Sequence, residues 1–315
     1  MAYIVFDLEW NQCPYGKEWE NPRLPFEIVE IGAVKLNEQK EPIDSFDALI
    51  RPYVYKKLHY QTKKVIGIRE EELRDGIPFP EAAESFFKWC GEEAVFCTWG
   101  TLDLTELQRN LLFYGMEELL KGPVIYCDVQ KLFAITFETR KIRRSLKTAV
   151  EMAGLPEDMA FHTAKDDAAY TAELFRKIPD ETIRTDFSID CFSVPRTRKE
   201  EVYLVYPGYH KFISKSFGTK EAVMEDRTVN AIYCTECGRK TKRTLRYFSD
   251  GGGRNHIGCG ICPEHGYIKS KVRVRETHDG RYYAIRTTKQ ISEEDLEKLK
   301  MRAAALRVKR RAKRS

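Results

Sequence analysis

The sequence predicts an α/β fold with a central sheet for residues 1–180, followed by a smaller module that contains two cysteine pairs. Strand and helix patterns alternate along residues 1–180, which is typical of a sheet covered by helices. Helical character stops near Pro179, and the cysteine pairs fall within residues 231–290. Residues 291–315 have the pattern of a basic helical tail, and residues 181–230 are interpreted as a linker or extension.

Hydrophobic periodicity predicts the individual elements. Apolar and β-branched segments predict strands at residues 3–9, 27–36, 45–51, 94–99 and 124–127. Helical spacing of apolar positions predicts helices at residues 81–90, 103–114, 145–153 and 163–177. Farther along, residues 272–275 and 282–286 alternate like a hairpin, and residues 292–313 are expected to form one helix capped by Ser292.

Charge is divided unevenly along the 315 residues. Residues 1–180 carry 23 Lys and Arg against 31 Asp and Glu, whereas residues 181–315 carry 30 against 17. This division favours a reaction that uses cations in residues 1–180 and a polyanionic partner for residues 181–315. The alternative is an uneven surface charge without a function. No apolar run approaches the roughly 18 residues of a membrane span. Because the N-terminus also lacks a signal-peptide pattern, we expect a cytoplasmic protein.

Three acidic segments are candidates for a catalytic site. Asp7 and Glu9 lie two apart on a predicted strand, so both carboxylates face the same side and repel unless a cation lies between them. Asp103 begins a predicted helix. His162 precedes another helix that carries Asp167, and a histidine there suits a general base. Each segment alone is more often structural, so the hypothesis depends on their combination.

These segments resemble the three exonuclease motifs of the DEDDh class of 3′→5′ exonucleases. The motifs are FDLEW, the Asp103 segment TWGTLDLTEL, and HTAKDDA, in family order. The intervening segments EIVEIGAVKL, VIGI, CDVQKL and RRSLKTAVEMAGL agree with the family as well. The resemblance covers about residues 1–180 and is strongest to the RNA-trimming branch related to RNA-interference-regulating and histone-mRNA 3′-end exonucleases.

The resemblance implies a ribonuclease H-like fold and a two-metal mechanism. Asp7, Glu9 and Asp167 would bind one Mg²⁺ or Mn²⁺, with Asp7 bridging to a second ion that Asp103 holds mainly through water. His162 would deprotonate the attacking water, and the product would be a nucleoside 5′-monophosphate. In the family, residues beside the first motif contact the terminal nucleotide. Leu8 and Trp10 are therefore candidate substrate contacts, although a core role for Trp10 is equally compatible with the sequence.

Four cysteines form a second candidate site. Cys234 and Cys237 make one CxxC pair, and Cys259 and Cys262 make another after 21 intervening residues. Two such knuckles supply the four thiolates of a structural Zn²⁺ site, with the intervening residues as a hairpin. The sequence thus predicts a zinc-ribbon-like module, with a redox dithiol as the alternative. His256 and His265 are interpreted as nearby but redundant as ligands.

The cysteine-containing module is rich in basic and aromatic residues. Cations that contact phosphates beside aromatics that stack on bases are typical of proteins that bind single strands. The basic candidates are Arg239, Lys240, Lys242, Arg243, Arg246, Arg254, Lys269, Lys271, Arg273 and Arg275. The aromatic candidates are Tyr247, Phe248, Tyr267, Tyr282 and Tyr283. Residues 301–315 add seven basic residues and no acid, a pattern that fits a clamp on nucleic acid, a contact with an RNA-rich assembly or a solvated helix end equally well.

Three functions are compatible with the sequence. The leading one is a 3′→5′ exoribonuclease whose second part recruits single-stranded RNA. The same motifs serve exodeoxyribonucleases of the proofreading or repair type, so DNA is the second candidate substrate. The third is a nucleic-acid-binding adaptor with a non-catalytic exonuclease fold, which the complete set of five signature residues disfavours. Residues 1–315 carry no pattern that predicts the oligomeric state.

Overall fold

The computed structural model describes residues 1–67, 69–156, 161–249 and 254–312. The chain divides into two compact units, Met1–Phe192 and Ser193–Ser315. Ile68 of the VIGI segment, residues 250–253 of a glycine-rich turn and residues 313–315 of the predicted tail helix lie outside the described residues. Within the described ranges, no helix has the length and apolar character needed to cross a membrane.

The first unit alternates strands with helices. Its strands are β1 (Ala2–Gln12), β2 (Phe26–Leu36), β3 (Pro42–Leu49), β4 (Ala94–Thr98), β5 (Val124–Asp128) and β6 (Ser188–Asp190). Its helices are α1 (Tyr60–Val65), α2 (Glu70–Arg74), α3 (Phe79–Cys90), α4 (Leu102–Phe113), α5 (Val129–Phe137), α6 (Leu146–Met152), α7 (Ala164–Arg176) and α8 (Asp180–Thr185). Ser145 caps α6, and its hydroxyl accepts a hydrogen bond from the Thr148 N–H at 3.2 Å.

The strands described in this unit form one mixed sheet in the order β3-β2-β1-β4-β5-β6. The long strand β1 lies inside the sheet, antiparallel to β2 and parallel to β4. Asp7 of β1 lies opposite Gly32 of β2, and Glu9 lies opposite Glu30. The mixed sheet with its flanking helices confirms the predicted α/β class and the ribonuclease H-like fold.

The alternation of β1 residues decides which layer each side chain meets. Ile4, Phe6 and Leu8 pack in an apolar cluster with residues of α3 and α4. Val5 points to the other face, where it packs with Phe175 of α7. Because successive strand residues face opposite sides, the odd-numbered acids Asp7 and Glu9 also face α7. Asp7 and Glu9 therefore lie on the α7 face of β1, opposite the cluster that contains Ile4, Phe6 and Leu8.

The second unit is built around an antiparallel sheet. Its strands are β7 (Val202–Tyr206), β8 (Tyr209–Ile213), β9 (Lys242–Ser249), β10 (Asn255–Cys262), β11 (Gly266–Glu276) and β12 (Tyr282–Ile291). Its helices are α9 (Lys220–Glu225), α10 (Arg227–Asn230) and α11 (Glu293–Ala312). The sheet order among the described strands is β7-β8-β12-β11-β10-β9. As expected, Ser292 caps α11, and its hydroxyl accepts a hydrogen bond from the Asp295 N–H at 3.1 Å.

Residues 181–230, interpreted from the sequence as a linker or extension, are divided between the two units. Helix α8 and strand β6 complete the first unit, and β6 pairs with β5. Strands β7 and β8 belong to the second unit, where β8 pairs with β12. The zinc-ribbon-like hairpin of β9 and β10 is therefore part of a larger sheet rather than a separate small module.

Candidate functional site

Three carboxylates converge where β1 faces α7. Asp7, Glu9 and Asp167 each contribute one carboxylate oxygen to a group whose atoms lie within 4.8 Å of one another. The first two share a face of β1, and Asp167 lies in the first turn of α7. The structure thus brings together three of the residues that the sequence motifs select, from segments more than 150 residues apart.

Asp103 places a fourth carboxylate beside this group. It lies in the first turn of α4, is only 6% exposed, and accepts a hydrogen bond from the backbone N–H of Leu8. Leu8 separates Asp7 from Glu9 in β1, so this bond holds Asp103 next to the pair. Burial is the largest cause of the raised pKa of Asp7, and the charge of Asp103 is the second largest. Asp103 is therefore an electrostatic neighbour of the three-carboxylate group.

Burial and like charge raise the pKa values of these acids. The pKa of Asp7 lies well above its ordinary value, and that of Glu9 is raised to about 8. The pKa of Asp103 is raised to about 7, chiefly by burial. The charged groups that act on Glu9 are Asp167, Glu30 and Asp103, all of which are acidic. A site with this much uncompensated negative charge fits a cation, and carboxylate oxygens are the ligands that Mg²⁺ and Mn²⁺ prefer.

This electrostatic arrangement predicts how stability depends on pH. Raised carboxyl pKa values mean that the folded state binds more protons than the unfolded state between pH 4.5 and about 8. Without added divalent ions, we expect the free energy of unfolding of the first unit to fall as the pH rises through this window. Mg²⁺ or Mn²⁺ should reverse the loss at pH 8, by about 2.7 kcal/mol at a concentration 100 times its dissociation constant. Thermal unfolding at several pH values checks this, and identical profiles with and without the ions would contradict it.

His162 lies immediately before α7 and is exposed to solvent. Its backbone N–H donates to Asp167 Oδ1 at 3.4 Å, so the two motif residues are linked through the main chain. Its φ of 73° is in the left-handed region, which costs a non-glycine residue about 1–3 kcal/mol. Thr163 then caps α7 by accepting a hydrogen bond from the Asp166 N–H at 3.2 Å. The imidazole is therefore carried on a defined turn beside the carboxylates.

Two residues of β2 fix the start of α7. Glu30 accepts a hydrogen bond from the Ala164 N–H at 3.0 Å, which satisfies one of the free donors at the helix N-terminus. Gly32 packs directly beneath the same turn, where an added Cβ would lie 2.2 Å from the carbonyl carbon of Ala164. The sequence motifs do not reveal this contact because it joins segments about 130 residues apart. It determines where α7 presents Asp167.

The two candidate substrate contacts differ in exposure. Leu8 is 3% exposed and packs in the core, so its side chain offers little surface to a nucleotide. Trp10 is half-buried, and its ring lies 5.7 Å from that of Phe26. Trp10 therefore has a packing role and retains part of its surface for a ligand.

A second group of metal-ligating side chains lies in the second unit. Cys234, Cys237, Cys262 and His265 each offer a ligand atom within 4.8 Å of the others. The Sγ atoms of Cys237 and Cys262 are 3.7 Å apart, and Cys262 Sγ lies 3.5 Å from His265 Nδ1. This is a set of three sulfurs and one imidazole nitrogen, which is a donor set found in structural Zn²⁺ sites.

Cys259 is not part of this group, which corrects the predicted set of four cysteines. Cys259 and Cys262 both lie on β10, and residues three apart on a strand face opposite sides. Cys259 is buried against Leu245 and against Leu296 of α11, and burial raises its pKa to about 11. His265 takes its place. The signal was present as Cys262-x-x-His265, the same spacing as a CxxC knuckle.

Comparison with known proteins identifies the first unit. Residues 4–175 match the model of the exonuclease family RNase T. The probable 3′-5′ exonuclease KapD of Bacillus subtilis (strain 168) is 26% identical over 181 residues, which cover 57% of this chain and 85% of KapD.

Solved structures with similar folds include two nucleases. The nuclease domain of 3′hExo, a DEDDh family member bound to rAMP, is 20% identical with a TM-score of 0.48, covering 60% of this chain and 96% of that chain. E. coli exonuclease I in complex with a dA16 oligonucleotide is 12% identical with a TM-score of 0.45, covering 86% of this chain and 54% of that chain. The family match spans more than half of the chain and all five motif positions from Asp7 to Asp167, so the protein belongs to the exonuclease family RNase T.

Proposed function

We propose that the protein is a 3′→5′ exonuclease that requires divalent metal ions and acts preferentially on single-stranded RNA. The observation that carries the proposal is the convergence of Asp7, Glu9 and Asp167 within 4.8 Å, with Asp103 beside them. Family membership supports the exonuclease activity, and the resemblance of the motifs to the RNA-trimming branch supports the preference for RNA. The expected products are nucleoside 5′-monophosphates.

The four carboxylates fit two divalent ions. Asp7, Glu9, Asp103 and Asp167 would hold them, with Mg²⁺ or Mn²⁺ favoured because all of these ligands are hard oxygen donors. When bound, such ions orient the nucleophile and neutralise charge on the attacking and leaving oxygens. The protein supplies fixed ligand positions, because β1 lies inside the sheet and α7 is anchored on β2.

His162 would act as the general base. Its side chain is exposed five residues before Asp167, and a ring nitrogen of imidazole can accept a proton from the attacking water. The hydrogen bond from the His162 N–H to Asp167 ties the position of the imidazole to that of the metal-binding carboxylate. Trp10 would stack on the terminal base with its remaining exposed surface.

A matched pair of substrates tests the preference for RNA. Purified protein is given RNA and DNA oligonucleotides of identical sequence with single-stranded 3′ ends, in the presence of Mg²⁺ or Mn²⁺. We expect kcat/KM for the RNA to exceed that for the DNA by about tenfold or more, which corresponds to about 1.4 kcal/mol. Equal digestion of both would assign the protein to the exodeoxyribonuclease or general trimming type. Binding of both without digestion would favour the non-catalytic adaptor.

We also propose that the second unit binds one structural Zn²⁺ through Cys234, Cys237, Cys262 and His265. The proposal is supported by the proximity of the four ligand atoms and by their position around the β9–β10 hairpin. Four protein ligands leave no open coordination position, so the ion would stabilise the fold rather than take part in hydrolysis. The site also resembles the zinc-ribbon-like arrangement predicted from the sequence.

The close packing of α7 on Gly32 predicts a large effect of one methyl group. In Gly32→Ala, the new Cβ would meet the backbone of Ala164 and Lys165 at 2.2 Å, so α7 must shift together with Asp167. A displacement of about 1 Å at a catalytic group lowers turnover about 100-fold, and we expect a loss of this order. Gly67→Ala is the control, because an added Cβ there meets nothing within 4 Å. Wild-type turnover in Gly32→Ala would show that the anchoring of α7 is unimportant.

A further inference from the structure

A basic cavity lies in the second unit at the far end of β11. Its volume is about 410 Å³, and its lining includes Lys220, Arg254, Arg273, Arg275, Glu276 and Tyr282. Strand β10 begins at Asn255, opposite Arg273, so the last residues of β11 extend beyond their neighbouring strand. The Val274 N–H donates to the Arg254 carbonyl oxygen at 2.8 Å, which holds Arg254 at this open edge. The cavity is therefore formed by defined elements of the sheet and by α9.

Among the residues that the structure describes, the positive charge in this cavity is only partly compensated. Four cationic side chains line it against the single carboxylate of Glu276. In the described part of the chain, neither Lys220, Arg254, Arg273 nor Arg275 forms a salt bridge. The arginine side chains of β11 are exposed. Unpaired cations at a concave surface attract a polyanion and are the usual contacts of proteins with phosphates.

The spacing of the cations along β11 favours a linear anion. Arg273 and Arg275 lie two residues apart on an extended strand, so they share a face and their Cα atoms are about 7 Å apart. Lys269 and Lys271 continue the same alternation toward the other end of the strand. A row of cations at this repeat matches successive phosphates of an extended single strand better than it matches an isolated anion.

An aromatic ring in the cavity favours a nucleic acid over an acidic peptide. The Lys220 Nζ lies 5.1 Å from the centroid of the Tyr282 ring, and Tyr282 is half-buried. A ring held beside cations offers a stacking surface for a base while the cations contact the backbone. An acidic peptide would gain the charge contacts here but has no base that could stack on the Tyr282 ring.

We propose that this cavity is a binding subsite for single-stranded nucleic acid, in which Lys220, Arg254, Arg273 and Arg275 contact phosphates and Tyr282 contacts a base. The strand would be the substrate of the proposed exonuclease, and in that respect the inference rests on the proposed function. Binding at the subsite requires no hydrolysis, so it is measurable independently of catalysis.

The test compares two double substitutions in a chain that also carries Asp7→Asn, which prevents digestion during the measurement. Arg273→Gln with Arg275→Gln removes two cations from the cavity. Arg196→Gln with Lys199→Gln removes the same charge from exposed positions that precede β7 in the second unit. Fluorescence anisotropy with a long labelled single-stranded oligonucleotide gives Kd over a range of salt concentrations, and thermal unfolding shows that both variants fold.

We expect the cavity variant to bind about tenfold more weakly, and its slope of log Kd against log salt to fall by about 1.4 because two phosphate contacts are lost. The control variant with Arg196→Gln and Lys199→Gln should bind within about twofold of the parent chain. Equal weakening of both variants, no weakening of the cavity variant, or equally tight binding of polyglutamate would overturn the proposal.

Failure of the exonuclease proposal would be seen separately. Turnover of a very short oligonucleotide is measured in chains that retain Asp7, with and without the cavity substitutions, and both chains should cleave it at the same rate. If neither chain cleaves while the difference in binding persists, the exonuclease proposal fails and the subsite stands. If both cleave and the difference in binding is absent, the subsite fails and the exonuclease proposal stands.

Discussion

Replacing Asp7 with Asn is expected to lower turnover by about 10³-fold or more while leaving the protein folded. The carboxylate of Asp7 is the member of the group on which Asp103, Asp167, Glu9 and Glu30 all act electrostatically. An amide of the same shape preserves packing in β1 but removes a charged metal ligand, whose interactions are realised in the transition state.

The same substitution should stabilise the metal-free protein. Because burial and, after it, like charges raise the pKa of Asp7, an uncharged amide removes a desolvation and repulsion cost that the folded state otherwise bears. We expect the first unit to unfold about 2–4 °C higher for each kcal/mol of repulsion relieved. Added Mg²⁺ or Mn²⁺ should then stabilise the variant less than the wild type.

Asp166→Asn is the matched control for Asp7→Asn. Asp166 lies in the same first turn of α7 as Asp167 but does not belong to the three-carboxylate group. Its replacement removes one negative charge from the neighbourhood and should change turnover by less than about tenfold. If Asp7→Asn retained wild-type turnover, or if Asp166→Asn lost as much, the assignment of the metal-binding carboxylates would be wrong.

Replacing Cys262 with Ser is expected to remove zinc from the protein and to destabilise the second unit strongly. The Cys262 sulfur lies within 3.7 Å of the Cys237 sulfur and 3.5 Å of the His265 ring nitrogen, so its loss opens the ligand set. Structural Zn²⁺ contributes on the order of 10 kcal/mol to the folding of small zinc domains. We therefore expect loss of the bound ion and a lower unfolding temperature for the second unit.

Cys259→Ser provides the contrast, since both substitutions make the same chemical change on the same strand. Cys259 packs against α11 and contributes no ligand to the group, so the variant should keep one zinc per chain. It should lose only about 1–3 kcal/mol, the cost of a hydroxyl in an apolar environment. Metal analysis after gel filtration measures the zinc content. Retention of zinc by His265→Asn together with its loss in Cys259→Ser would restore the four-cysteine assignment.

The arrangement of residues within each motif was predictable from the sequence because it is local, whereas the convergence of the motifs was expected only from the family resemblance. The two-residue alternation of a strand places Asp7 and Glu9 on one face, and the start of a helix fixes Asp167 relative to His162. The support beneath these residues was not predictable. Glu30 bonds to the start of α7 and Gly32 packs against it, although these residues are distant in sequence. No local sequence pattern indicates such contacts.

The cysteine site shows why a spacing motif can mislead. A CxxC pair presents both thiolates to one ion only where the chain turns, and residues 259–262 instead continue along β10. Strand periodicity sends Cys259 and Cys262 to opposite faces, and the turn after β10 brings His265 back to the site. The sequence pattern of residues 202–213 did not predict strands, again because the contacts that stabilise them are distant in sequence. Strand β8 pairs with β12, about 75 residues later, and β7 pairs in turn with β8.

The most direct test of the central proposal uses an oligonucleotide labelled at its 5′ end. With Mg²⁺ or Mn²⁺, the account predicts a ladder of products that shorten from the 3′ end in single-nucleotide steps, with release of nucleoside 5′-monophosphates and no shortening without the ions. Products from internal cleavage, shortening that needs no divalent ion, or an intact substrate under every condition would contradict it.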